Sequence, residues 1–160
     1  MSEQKPEIDR RARTILGVDD SPEMQAILHA MITGAGYAFL GAQDASEALE
    51  RIAAREPFSV ILTDVQMPGM DGFELCRQIR KLPKGKKVPI IFLTVNNTTA
   101  DVEKCKNAGG NAFIVKPFNS KTLVRHLDHW SQQSTAKPLG RALTPGSSRA
   151  REASATKAIP

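Results

Sequence analysis

Only two cysteines occur in 160 residues, Cys76 and Cys105, and they do not form a Cys-x-x-Cys pair. A disulfide framework is therefore not expected, and both thiols read as small packed residues kept reduced. The three histidines, His29, His126 and His129, fall on helix-like segments without metal-ligand grouping, so they read as surface or partly packed residues. No apolar run approaches the roughly 20 residues of a membrane span, and Met1 to Arg13 lacks the apolar centre of a signal peptide. A cytoplasmic protein is expected. Gly69 and Gly72 belong to a turn, and no P-loop or dinucleotide fingerprint is present. The net charge of +5 does not indicate a basic face either. Residues 1–13 hold four basic and three acidic side chains, residues 136–160 five and one, and residues 14–135 thirteen of each.

What is present is a chain of one domain's length, with the 41% hydrophobic and 24% charged residues of a globular protein. Short, nearly continuous apolar runs at Thr14 to Val18, Tyr37 to Gly41, Phe58 to Thr63, Val88 to Leu93 and Ala112 to Val115 have the pattern of strands buried on both faces. Helix signatures alternate with them. Ser21 caps a first helix with Pro22 in its first turn, ended by Gly34 or Gly36. Asp44 and Glu47 stand at capping-box spacing before a second. A third begins after Gly72 and runs to Leu82-Pro83. Thr98 or Thr99 opens a fourth, stopped by Gly109-Gly110, and Asn119 or Ser120 a fifth. Five strand-then-helix repeats predict a parallel sheet with helices on both faces. The expected organisation is a flexible N-terminal segment over 1–12, a domain over 13–134, and a basic, disordered tail over 135–160.

The polar residues that interrupt this pattern all lie at strand ends. Asp19 and Asp20 follow the first run, Asp64 the third, Thr94 the fourth and Lys116 the fifth. In open α/β sheets that edge forms the ligand crevice. If the first and third strands are neighbours, three carboxylates meet, and each unscreened pair about 4 Å apart repels by roughly 4 kcal/mol at an effective dielectric near 20. Such a cluster calls for a cation, a proton or a reaction.

The text Val18-Asp19-Asp20, Leu62-Thr63-Asp64-Val65-Gln66-Met67-Pro68-Gly69-Met70-Asp71-Gly72, Leu93-Thr94 and Val115-Lys116-Pro117-Phe118 resembles the response-regulator receiver domains of two-component signalling, in particular the single-domain chemotaxis regulators. The resemblance covers residues 13–132 or so, and the spacings of 44, 30 and 22 between Asp20, Asp64, Thr94 and Lys116 match as well. It implies a flavodoxin-like, doubly wound (βα)5 fold with strand order 2-1-3-4-5. Asp64 would be the phosphoacceptor, served by a histidine kinase or a histidine phosphotransfer protein. Asp19, Asp20, Asp64 and the Gln66 backbone carbonyl would hold Mg2+, with Mn2+ as a substitute. Thr94 and Lys116 would bind the phosphoryl group, Phe113 would be the switch aromatic, turning inward when Thr94 moves, and the Lys116-Pro117 bond would be cis. Gln66, Val95 and Asn96 would tune phosphoryl lifetime. Val95 stands where the family usually has a smaller residue. The fourth helix, fifth strand and fifth helix would face a downstream protein, and a phosphorylation-dependent dimer is left open.

The expected role is a signalling switch that acts by protein contact and catalyses only its own phosphorylation and dephosphorylation. The 25 residues 136–160 are too few for a DNA-binding output domain. The alternatives are a receiver fragment of a larger regulator and a Mg2+-dependent phosphatase that forms an aspartyl-phosphate.

Overall fold

Strands with almost no polar position need cover on both faces, and five of them receive it here. The computed structural model describes residues 9–55 and 57–135. Strands β1 (Thr14–Val18), β2 (Ala38–Ala42), β3 (Val60–Asp64), β4 (Ile90–Thr94) and β5 (Ala112–Val115) alternate with helices α1 (Pro22–Gly34), α2 (Ala45–Ala54), α3 (Gly72–Arg80), α4 (Thr99–Ala108) and α5 (Ser120–Thr135). All pairings are parallel and the order is β2-β1-β3-β4-β5, the flavodoxin-like order expected from the sequence.

The sheet divides the core into two layers. Leu28 and Ile32 of α1 and Leu123 and Leu127 of α5 pack with Ile15, Leu62, Ile91 and Leu93 on one face. On the other, Ala48 and Ile52 of α2, Leu75 and Ile79 of α3 and Cys105 of α4 pack with Leu16, Val18, Ile61 and Phe92. Period two within each strand sends successive side chains to opposite layers. No helix among the described residues is long and apolar enough to cross a membrane.

Every helix begins at the sheet edge where the strands end, and each has a side-chain cap there. Ser21, Asp44, Asp71, Thr98 and Asn119 accept from the backbone N–H groups of Met24, Glu47, Glu74, Asp101 and Thr122 at 2.8 to 3.2 Å. The Asp44 box closes with a one-residue offset, since Glu47 accepts from the N–H of Gln43.

Several boundaries shift from the sequence reading. Tyr37 stays out of β2 because its N–H is donated to the Ile32 carbonyl, finishing the turn after α1. The third helix stops at Arg80 rather than Leu82-Pro83, and Pro83–Gly85 forms a separate 3-10 turn. Part of the N-terminal segment expected over 1–12 is described as well. Arg10–Ala12 form a 3-10 turn, and Arg10 makes two bonds to the Asp128 carboxylate on α5, at 2.7 and 3.0 Å. Tyr37 donates to the same carboxylate at 2.6 Å. The rest of the expected flexible segment, residues 1–8, and the tail from residue 136 lie outside the described residues.

At the opposite edge of the sheet, Arg80 gathers the connections into β4 and β5. Its guanidinium donates to the carbonyls of Gly109, Gly85 and Val88 and to Asn111 Oδ1, all at 2.7 to 3.0 Å. Gly109 there has φ of 100°, the left-handed conformation that ends α4. We expect Arg80→Leu to cost about 2 to 4 kcal/mol, because several half-buried carbonyls lose their donor at once. Arg80→Lys should recover less than half of that, since an ammonium cannot present a planar fork. Urea unfolding measures both, and a lysine variant as stable as the parent would refute the fork argument.

Candidate functional site

The register that builds the sheet also gathers the polar strand ends. Val18 pairs with Thr63 and Asp64 with Leu93, so Asp19, Asp64 and Thr94 finish on adjacent strands. Asp19, Asp20 and Asp64 each bring a carboxylate oxygen to within 4.8 Å of the others. Lys116, just beyond β5, places its ammonium 2.9 Å from Asp64 Oδ1 and 3.8 Å from Asp19 Oδ2. The Lys116-Pro117 peptide is cis.

Three carboxylates against one ammonium leave the group short of positive charge. Asp19 is buried; its Oδ1 accepts from the Ser21 N–H at 2.9 Å, while Oδ2 has no hydrogen-bond partner. Burial pushes the Asp19 carboxyl above the usual carboxylate range; the Ser21 N–H opposes this and the Asp64 charge adds to it. Asp20 is exposed and Asp64 is partly buried, so the cluster runs from a dry end to a wet one. The donor set is oxygen only, with an orphaned buried carboxylate oxygen and a deficit of two positive charges. Such a site fits a hard divalent cation that keeps some of its water.

The other site residues of the sequence reading surround this cluster. Thr94 is buried, and its hydroxyl accepts from the Asn96 N–H at 3.0 Å. Gln66, Val95 and Asn96 are exposed and line a cleft of about 750 Å3 between the β3–α3 turn and α4, with Asp64, Thr94 and Lys116 at its polar end. Val95 is 63% exposed, which places its branched side chain at the mouth. Phe113 is 7% exposed and packs with the α2–α3–α4 core layer. The ring is therefore largely buried in this structure.

The turn after β3 closes tightly over the cluster. Gly72 donates its N–H to the Val65 carbonyl at 2.8 Å, and a Cβ at Gly72 would collide with the Asp64 carbonyl oxygen. Asp71, which caps α3, also lines the cleft, as do Phe73, Asp101, Lys104 and Cys105. The sequence reading did not single out Asp71 or Lys104. Asp71 carried a signal, being an Asp three residues before Glu74 at a helix start. Lys104 carried none, because its place depends on how α4 packs. Both cysteines are buried and free, and burial pushes the Cys76 thiol up to about 11 and the Cys105 thiol up to about 12. They are packing residues.

Residues 15–128 match the sequence model of the family described as response regulator receiver domain. Chemotaxis protein CheY1 of Helicobacter pylori is 36% identical over 115 residues, covering 71% of this chain and 93% of that one. Among solved structures, chemotaxis protein CheY4 of Vibrio cholerae superposes with a TM-score of 0.71 at 34% identity, over 74% of this chain and 98% of that one. The receiver domain of sensor histidine kinase PA1611 from Pseudomonas aeruginosa, solved with a magnesium ion coordinated in the active site cleft, gives 0.68 at 38% identity, over 74% and 97%. Other curated relatives are longer, and the match spans only 46% of one of them.

The electrostatics give a direct test. A raised Asp19 pKa means that its ionised form costs stability at neutral pH and that the cost is relieved as pH falls through the folded-state value. Asp19→Asn should therefore stabilise the metal-free protein at pH 7 by about 1 kcal/mol, read as a higher Tm in the presence of a chelator. The gain should shrink as the pH is lowered and also when Mg2+ is added. A metal-free variant that melts at or below the parent at pH 7 would count against the charge-deficit account.

Proposed function

The chain belongs to the response regulator receiver domain family, and from that premise we propose that it is a phosphorylation-dependent switch in two-component signalling that takes a phosphoryl group on Asp64. The observation that carries this reading is the 2.9 Å contact between Lys116 Nζ and Asp64 Oδ1 inside a cluster of three carboxylates. A fixed ammonium beside a carboxylate is what attack on an anionic phosphorus centre requires.

The donor would be a phosphohistidine of a kinase or phosphotransfer protein. An Asp64 carboxylate oxygen forms the new O–P bond while the P–N bond breaks, and its electron pair leaves on the imidazole nitrogen. Mg2+, held by Asp19, Asp20, Asp64 and the Gln66 carbonyl, would neutralise charge on the transferring oxygens; the oxygen donors would also accept Mn2+. Lys116 stays paired through the reaction, first with the carboxylate and then with a phosphoryl oxygen. Thr94 Oγ1 accepts from the Asn96 N–H, so its own proton is available to donate to the acyl-phosphate.

The added charge of about −1.5 to −2 has to be read elsewhere. The hydroxyl bond from Thr94 would draw in the loop that leads to α4, with β5 and the buried Phe113 ring adjusting beside it. The α4–β5–α5 face is then where a downstream protein, or a second phosphorylated copy, would bind. Val95, at the mouth of the cleft, would shield the acyl-phosphate from attacking water.

Two measurements test this. Incubation with Mg2+ and a small acyl-phosphate should give an acid-stable, base-labile adduct on Asp64, absent from Asp64→Asn; an equal adduct on that variant would end the proposal. Val95→Ala should shorten the lifetime of the adduct about two- to tenfold, a barrier change of roughly 1 kcal/mol. An unchanged lifetime would dismiss the shielding role.

A further inference from the structure

The first turn of α1 carries one polar side chain that points inward rather than to solvent. Gln25 is partly buried, and its Nε2 donates to three backbone carbonyls: Gly17 at 3.1 Å, Asp19 at 3.1 Å and Ala42 at 2.9 Å. Three carbonyl acceptors fix which end of the amide carries the NH2 group. With two protons for three acceptors, one bond is shared. The Ala42 carbonyl also accepts from the Asp19 N–H at 3.1 Å. Gln25 and Ala42 therefore grip the Asp19 backbone from both sides, at the point where the β1–β2 ladder runs out after Val18 and Ala42.

The Asp19 carbonyl belongs to the peptide plane that joins Asp19 to Asp20. That plane is rigid, so holding its oxygen constrains Asp19 ψ and Asp20 φ, on which the directions of both side chains depend. Two acids that repel each other and Asp64 have no internal reason to keep this geometry. Their placement has to be imposed from outside the cluster, and Gln25 is the side chain that reaches in to do so.

A second, independent feature supports the arrangement. Gly41 leaves room for the Gln25 amide: a Cβ at that position would collide with Gln25 Oε1, and its next nearest neighbour outside that side chain is a Phe39 ring carbon at 3.5 Å. The space beside β2 is thus shaped to the glutamine.

We propose that Gln25 is a positioning residue for the acidic site, holding the Asp19–Asp20 peptide so that the two carboxylates converge with Asp64 on one divalent cation, and that Gly41 provides its seat. The proposal deepens the reading of the site as a Mg2+-dependent phosphoacceptor and rests on it for the identity of the cation. Gln25 touches neither the cation nor the phosphoryl group.

The test titrates the full chain with Mg2+ alone and follows backbone amide shifts of Asp20 and Ser21, for the parent, Gln25→Met, Gly41→Ala and the double variant. Outer-shell partners of metal ligands commonly affect affinity by about 10- to 100-fold. Because Gln25 acts through the backbone, the lower end is expected, so Gln25→Met and Gly41→Ala should each raise the Mg2+ Kd about tenfold. The double variant should be no worse than Gln25→Met, because both changes remove the same contact. Phosphorylation from a small acyl-phosphate should need correspondingly more Mg2+ and recover its rate at saturation. A merely structural role would lower the Tm and leave the Mg2+ Kd unmoved, which overturns the proposal, as would additive effects in the double variant. A parent protein that binds Mg2+ but takes no phosphoryl group would overturn the proposed function and leave the positioning role standing.

Discussion

The structure turns on an electrostatic imbalance: three carboxylates converge at the ends of β1 and β3, and a single ammonium, Lys116, reaches them. Nothing in that group is stable by itself. Like charges at such distances repel by several kcal/mol per pair at protein-like dielectric, and Asp19 is buried with one oxygen that accepts no hydrogen bond and has only the Lys116 ammonium, 3.8 Å away, beside it. The fold holds these groups together with rigidity drawn from elsewhere, and in the proposed function a divalent cation and a transferred phosphoryl group would meet a site already assembled. Preorganisation of this kind places the cost of bringing charges together on folding rather than on the reaction.

The rigidity comes from parallel topology. A right-handed βα repeat brings every strand's carboxyl end, and every helix's first turn, to the same edge. Five capped helix starts therefore lie at that edge, and those of α1, α3, α4 and α5 follow the loops that carry site residues. Gly72 lets the β3–α3 turn lie against the Asp64 carbonyl, and Gln25 pins the peptide between the two first-strand acids. The remote edge is fastened by Arg80, and the α1–α5 side by the Arg10–Asp128–Tyr37 group. The stretch Val95 to Ala100, between buried Thr94 and the body of α4, is exposed throughout. In the proposed switch, that is where a local charge change is passed outward.

Much of this was legible in the chain. Apolar runs four to six residues long gave the strands, and Ser21, Asp44, Thr98 and Asn119 announced helix starts through the hydrogen bonds their side chains make locally. Asp19, Asp20, Asp64, Thr94 and Lys116 stood out because polar residues at the ends of buried strands are few. Tyr37 was misassigned to a strand because its N–H goes to Ile32, a choice set by how α1 ends. Arg10 looked like part of a loose terminus because Asp128, its partner, is 118 residues away. The state of Phe113 was not legible either, since an aromatic in a strand looks the same whether its ring is out or in.

The sequence by itself determined the type and order of the five strands and five α-helices and the inventory of reactive groups, because both depend on side-chain identity and on neighbours within one or two turns. Only the tertiary structure decided that three acids and one lysine share a site, that Val95 stands at its mouth, and that Gln25 lies beneath it. Those facts depend on strand order, register and the seating of α1 on the sheet. They are set by packing between segments far apart in the chain, which no local pattern encodes.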